Sequence, residues 1–186
     1  MSRPRLANLS SHDARGGRLP TNRITEGQVR RSLVRILGKN TLCSMATVAA
    51  DRRPHINTAY FCYSAELELY FLSHPRSRHC RNLAVNASMG MAIFSSKQLW
   101  AGSDRGLQLF GSCSQARGPQ ARRAERLYGR RFTGYSRWKA ALRPDDVGHE
   151  YRLYRFVPRR ATILDEREFG GAVFVSATVR RTSPRA

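Results

Sequence analysis

The chain has 186 residues, 41% of them hydrophobic, enough for one well-buried core and too few for two. Its 33 basic residues against 13 acidic ones give a net charge of +20, but all except Lys39, Lys97 and Lys139 are arginines scattered without regular aromatic interleaving. That pattern predicts at most weak, non-specific nucleic-acid affinity, and the lack of roughly 18 consecutive apolar residues or a secretory h-region predicts a soluble, cytoplasmic protein.

In chain order, residues 1–24 hold Arg3, Arg5, Arg15, Arg18 and Arg23 among Ser, Gly and Pro, with Asp13 the only acid. Such a segment has little apolar surface to bury and reads as a disordered basic tail. One domain is expected over 25–182, followed by a short tail at 183–186. It opens with a capping box of Thr25 and Gln28, after which Val29, Leu33, Ile36 and Leu37 form a helical stripe that Gly38 is expected to stop. Residues 42–48, 55–63 and 67–72 read as strands, the first two joined by a turn at 50–54. Ser73 ends the third strand, His74, Pro75 and Arg76 turn the chain, and Ser77 stands at the N-cap of a helix over 77–85.

A strand follows at 89–94, then a polar loop at 97–105 and a strand at 106–115. Pro119 starts a helix with Ala121, Ala124, Leu127 and Tyr128 on one face. Residues 135–146 read as a helical or mobile connection, and strands at 150–157, running on to 163, and at 173–179 complete the set. Many short strands with few helices predict a mainly β, α+β fold built on an antiparallel closed or split barrel. No G-x-G-x-x-G or Walker loop is present.

The junction at Ser77 carries chemistry. A helix start presents unsatisfied N–H donors and a partial positive charge, and Arg78 adds a fork matched to phosphate oxygens. The same residues also fit a plain cap with a solvated Arg78 and His79. Cys43, Cys62, Cys80 and Cys113 form no C-x-x-C pair and read as reduced, buried small hydrophobes. Cys80 beside His79 is no nucleophile–base pair, because adjacent helical residues diverge by about 100°. His12, His55, His74, His79 and His149 lack the spacing of metal ligands, so no metal is expected.

Read together, Ser73, Ser77-Arg78-His79, Asn82-Leu83 and Asn86, the block Arg105 to Gly111, Leu127 to Phe132, the 151–156 strand and Phe169-Gly170 resemble one family. It is the pyridoxamine 5'-phosphate oxidase-like family of FMN-binding split barrels, and the closing features resemble its small YhbP-like branch. The resemblance covers roughly residues 28 to 180; no single motif in it is specific, but their order and spacing are.

It implies a homodimer holding two equivalent flavins between subunits. Cofactor contacts would come from Asn57, Thr58, Ala59 and Tyr60 beside the ring, Ser73, Ser77, Arg78 and His79 at the phosphate, and Arg105 and Gln108 on a strand from the partner. Trp100 would cover the ring or anchor its own loop. FMN would make the protein an oxidoreductase acting on a small molecule, with no side chain required as acid or base. The Arg-x-His segment that holds pyridoxamine phosphate is missing towards the C-terminus, which argues against that substrate. The same seat would suit a deazaflavin, and the resemblance also admits haem, with His55, His74 or His149 as axial ligand. A non-enzymatic flavin- or nucleic-acid-binding module is a reading of a different class. Where the family has a lysine, this chain has His79, an imidazole with a reference pKa of about 6.5, so phosphate affinity is expected to weaken as pH rises through neutrality.

Overall fold

Period-2 alternation along most of the strands drives six of them into a ring that buries its inner face. The computed structural model describes residues 3–181; the expected tail at 183–186 lies outside them. In chain order the elements are β1 (Arg5–His12), β2 (Arg18–Leu19), α1 (Glu26–Lys39), β3 (Leu42–Val48), β4 (Pro54–Tyr63), β5 (Leu69–Ser73), α2 (Arg78–Val85), β6 (Ser88–Phe94) and β7 (Arg105–Gln115). Then come α3 (Gly118–Arg131), α4 (Tyr135–Ala140), a 3-10 turn at Val147–Glu150, β8 (Arg152–Asp165), α5 (Glu166–Phe169) and β9 (Phe174–Arg180).

Strands β3, β4, β5, β8, β7 and β6 pair in that cyclic order, and the β6–β3 pairing closes an antiparallel barrel. The long β8 makes it a split barrel. One edge of β8 pairs with β7 throughout, while the other takes β5 over residues 152–156 and β9 over residues 160–164. Between those stretches lies Pro158, which has no N–H to offer, beside a register shift that leaves Arg159 of β8 without a partner on β7. Glycine is required opposite: a Cβ on Gly111 would stand 2.1 Å from the Val157 carbonyl oxygen.

Phe61, Phe71, Phe156, Ile93, Leu107 and Ile163 fill the interior. The capping box forms, with Gln28 N–H donating to Thr25 Oγ1 at 3.3 Å and Thr25 N–H to Gln28 Oε1 at 2.9 Å. Gly38 does not stop α1; the helix ends at Asn40, whose Nδ2 donates to the Ile36 carbonyl at 2.8 Å. Val29, Leu33, Ile36 and Leu37 close one barrel end. Cys80 and Leu83 of α2 close the other, where Asn82 Nδ2 donates to Thr47 Oγ1 at 3.0 Å. Helix α3 packs outside, through Ala124 and Tyr128 against Cys62, Tyr70 and Leu153.

The start of the chain departs from expectation. Residues 5–12 are not a disordered tail but strand β1, paired antiparallel with β9 from Arg5↔Arg180 to His12↔Phe174. Leu6 is buried and its N–H donates to Glu26 Oε1 at 2.9 Å; Ser11 is buried with Oγ donating to the Leu19 carbonyl at 3.1 Å. A strand whose partner lies some 170 residues later leaves little local signal: Leu6 and Leu9 are its only large apolar residues.

Candidate functional site

Strand β4 outlasts its neighbour. It pairs with β3 over 54–60 but with β5 only over 61–63, so its first half has an open edge. Because Phe61 N–H points to Thr41 of the β3 side, alternation turns the N–H and C=O groups of Ile56 and Thr58 to that open side. Beside this notch β5 ends at Ser73, the chain turns through 74–76, and Ser77 caps α2 by accepting from Cys80 N–H at 3.4 Å.

Three polar side chains meet here. His79 Nε2 lies 2.7 Å from Ser73 Oγ and 3.1 Å from Ser77 Oγ, and the two hydroxyls are 3.3 Å apart. His55, at the start of β4, stacks on the His79 ring with centroids 6.3 Å apart and planes 6° from parallel. Burial, and secondarily the nearby His55, lowers the His79 pKa below its ordinary value. The first-turn N–H groups of Arg78 and His79 have no acceptor within the helix. Arg78 is exposed and makes no hydrogen bond or ion pair with the described residues. Its neighbours are taken: Glu150 Oε2 holds Arg76 at 2.8 Å and His74 at 3.1 Å, fastening the 74–76 turn to the segment before β8.

The remaining predicted residues separate by strand face. Asn57 turns inward; its Oδ1 is buried without a partner and its Nδ2 reaches the Thr58 carbonyl at 3.4 Å. Ala59 packs on the core and Tyr60 stands outside, edge-on to Phe132 at 5.6 Å. Thr58, Ser44, Ala92 and Gln108 are successive cross-strand partners, one row across the outer face. Thr58 and Ala92 also line a groove of about 440 Å³ with Lys39, Phe94 and Lys97. Arg105 does not join Gln108. It lies three residues away on the opposite face, at the α1 end of the barrel, 3.3 Å from the buried Asp165 that also binds Ser32 at 2.6 Å and Arg35 at 2.5 Å. Trp100 does not anchor its loop: it is 99% exposed.

Sequence reading missed the His55–His79 stack and the Glu150 latch, both joining residues far apart in the chain. The cysteines are all free and buried. Burial pushes the thiols of Cys43 and Cys62 up to about 12, which makes them poor nucleophiles. Cys80 turns into the core while its neighbour His79 faces the serines.

The sequence profile described as "Pyridoxamine 5'-phosphate oxidase" matches residues 29–162. No curated protein matches. Among solved structures, the haem storage protein HutZ from Vibrio cholerae superposes with TM-score 0.56 at 20% identity, over 69% of this chain and 88% of that one. A haem-binding protein from Mycobacterium smegmatis gives 0.61 at 15% identity, over 77% and 55% of the two chains. A candidate pyridoxamine 5'-phosphate oxidase from Listeria innocua gives 0.57 at 18%, over 73% and 98%. At these identities the likeness is one of fold.

Proposed function

The chain belongs to the pyridoxamine 5'-phosphate oxidase family, and from that premise we propose that it is an FMN-dependent oxidoreductase acting on a small molecule. The observation that carries the reading is the Ser73, Ser77 and His79 cluster at the start of α2, beside an Arg78 that has no partner among the described residues. Two hydroxyls, two free backbone N–H groups and a guanidinium suit a phosphate monoester, so the residues fit the group. Ser73 and Ser77 would turn their hydroxyls from each other to the phosphate, Arg78 would close on it, and the open edge of β4 at Ile56 and Thr58 would offer backbone groups to polar ring edges. When bound, the flavin supplies hydride acceptance and donation; the protein supplies position and electrostatics.

A second copy of the chain completes this reading. Leu42, Ile56, Tyr60 and Phe94 are at least half exposed on one outer face of β3, β4 and β6, around the small residues Ala46, Gly90 and Ala92. Such a bare apolar face fits a self-complementary partner, which would bring Thr58 and Gln108 of both copies towards shared sites. A substrate other than pyridoxamine phosphate follows from the missing Arg-x-His segment.

Haem is the second reading, favoured by one feature: the lowered pKa of His79 leaves a neutral imidazole beside His55, the protonation state a metal ligand needs. Incubation with FMN, desalting and an absorbance spectrum test the first reading. A retained flavin band supports it; a colourless protein that develops a Soret band with haem favours the second, and one that takes neither leaves a binding module.

A further inference from the structure

Helix α3 carries Arg122, Arg126 and Arg130 at four-residue intervals, one stripe with about 6 Å between successive members. All three are exposed, and none makes a hydrogen bond or ion pair with the described residues. Two other arginines of this helix are occupied. Arg123 pairs with Glu66, and Arg131 turns inward to the Leu37 carbonyl at 2.8 Å and over the Phe61 and Tyr63 rings. The stripe lines a groove of about 810 Å³ whose other wall is Tyr135, Ser136 and Lys139 of α4.

A second hollow of about 250 Å³ adjoins it, sharing Glu125, Tyr135 and Lys139. Its walls include Trp138, Leu142 and Tyr151. Trp138 is 40% exposed, with its ring 5.9 Å from Tyr135 and 6.3 Å, edge-on, from Tyr151. Tyr135 and Trp138 follow the arginines across the short 132–134 turn, and Tyr151 comes from beyond α4. Folding sets the two groups side by side.

We propose that the α3–α4 groove binds single-stranded nucleic acid, its phosphates on Arg122, Arg126 and Arg130 and a base against Trp138. A cationic row beside a partly exposed aromatic face matches a polymer that alternates phosphate with a flat ring. A lipid surface or an acidic peptide lacks that regular alternation of phosphate with a flat ring. The groove adjoins the cofactor seat, its Tyr151 standing edge-on to His74 at 5.9 Å, but none of Ser73, Ser77, Arg78 and His79 lines it.

The test uses the full chain carrying Trp100→Phe, which leaves Trp138 as the sole tryptophan of the two. A thymidine oligomer of about 12 nucleotides, within the usual site size, should quench its fluorescence. Labelled-oligomer anisotropy at several salt concentrations should show that Arg126→Ala with Arg130→Ala lowers the log–log salt slope by about 1.4, at about 0.7 per phosphate contact. Arg52→Ala with Arg53→Ala, the same loss of charge on an exposed distant turn, should leave the slope unchanged. Trp138→Ala should weaken oligomer binding about 5- to 150-fold and leave inorganic polyphosphate binding intact, whereas Trp138→Phe, which keeps a packed ring, should weaken the oligomer less. Equal slope changes in the two arginine pairs would overturn the proposal. So would polyphosphate or phosphatidylserine vesicles binding as tightly as the oligomer, because the aromatic wall would then contribute nothing.

Discussion

Ser73, Ser77 and His79 satisfy one another, so a phosphate entering the α2 start has to replace contacts of 2.7 to 3.3 Å rather than fill an idle site. Arg78 gives up no partner among the described residues. Arg78→Ala is therefore expected to weaken FMN binding by about 1.5 to 3 kcal/mol, roughly 10- to 150-fold, read by fluorescence titration. His79 should give two opposed pH trends. Its folded pKa lies below the ordinary value, so the unfolded chain binds more protons, and the ligand-free protein should lose stability as pH falls through about 6.5. A bound phosphate favours the imidazolium, so FMN affinity should rise over the same fall. His79→Gln should flatten both curves; thermal melts and binding titrations between pH 5.5 and 8 check this, and a variant that keeps either slope would remove His79 as its source. Ser77 and Arg78 were legible because a cap and its following residue are local signals. His55 and Glu150 were not, since their contacts cross 24 and 76 residues of chain.

At the scale of elements, strand and helix identities follow from periodicity and caps, and the differences have separate causes. Gly38 failed as a stop because burial of Ile36 and Leu37 carries α1 on to the Asn40 side-chain cap. Strand β1 went unseen because its burial depends on β9. Leu6→Ala tests that assignment directly: a buried leucine should cost about 2 to 5 kcal/mol in urea unfolding, whereas the same change in a disordered tail costs nothing. Gly111 is the second element-scale test. A Cβ 2.1 Å from a backbone oxygen cannot be relieved by a side-chain rotation, so Gly111→Ala should destabilise by about 3 kcal/mol, the upper end for overpacking.

For the whole molecule, acid stability and assembly are the measurable quantities. Asp165 and Glu68 are desolvated, which opposes ionisation, yet hydrogen bonds from Ser32 and Arg35 and from Arg155 and Tyr70 respectively hold their pKa values below the ordinary carboxylate range. Depressed folded values mean stability that is present above about pH 4 and lost as pH falls below it, so melting temperature should drop steeply there, less so in Asp165→Asn. The bare β3–β4–β6 face predicts a dimer in sedimentation, with Ile56→Glu shifting it to monomer. A monomeric parent chain would instead remove the second copy from the proposed site. Within the described residues, the barrel strands, the α1 and α2 caps and the Ser77-Arg78-His79 junction could be read from the chain, because alternation, helical stripes and capping act between near neighbours. Tertiary structure alone decided that β8 splits its edge between β5 and β9, that His55 stacks on His79, and that Glu150 ties down the 74–76 turn. Each of those depends on strand register and closure, which are set by burial summed over the whole barrel and leave no mark in any one segment.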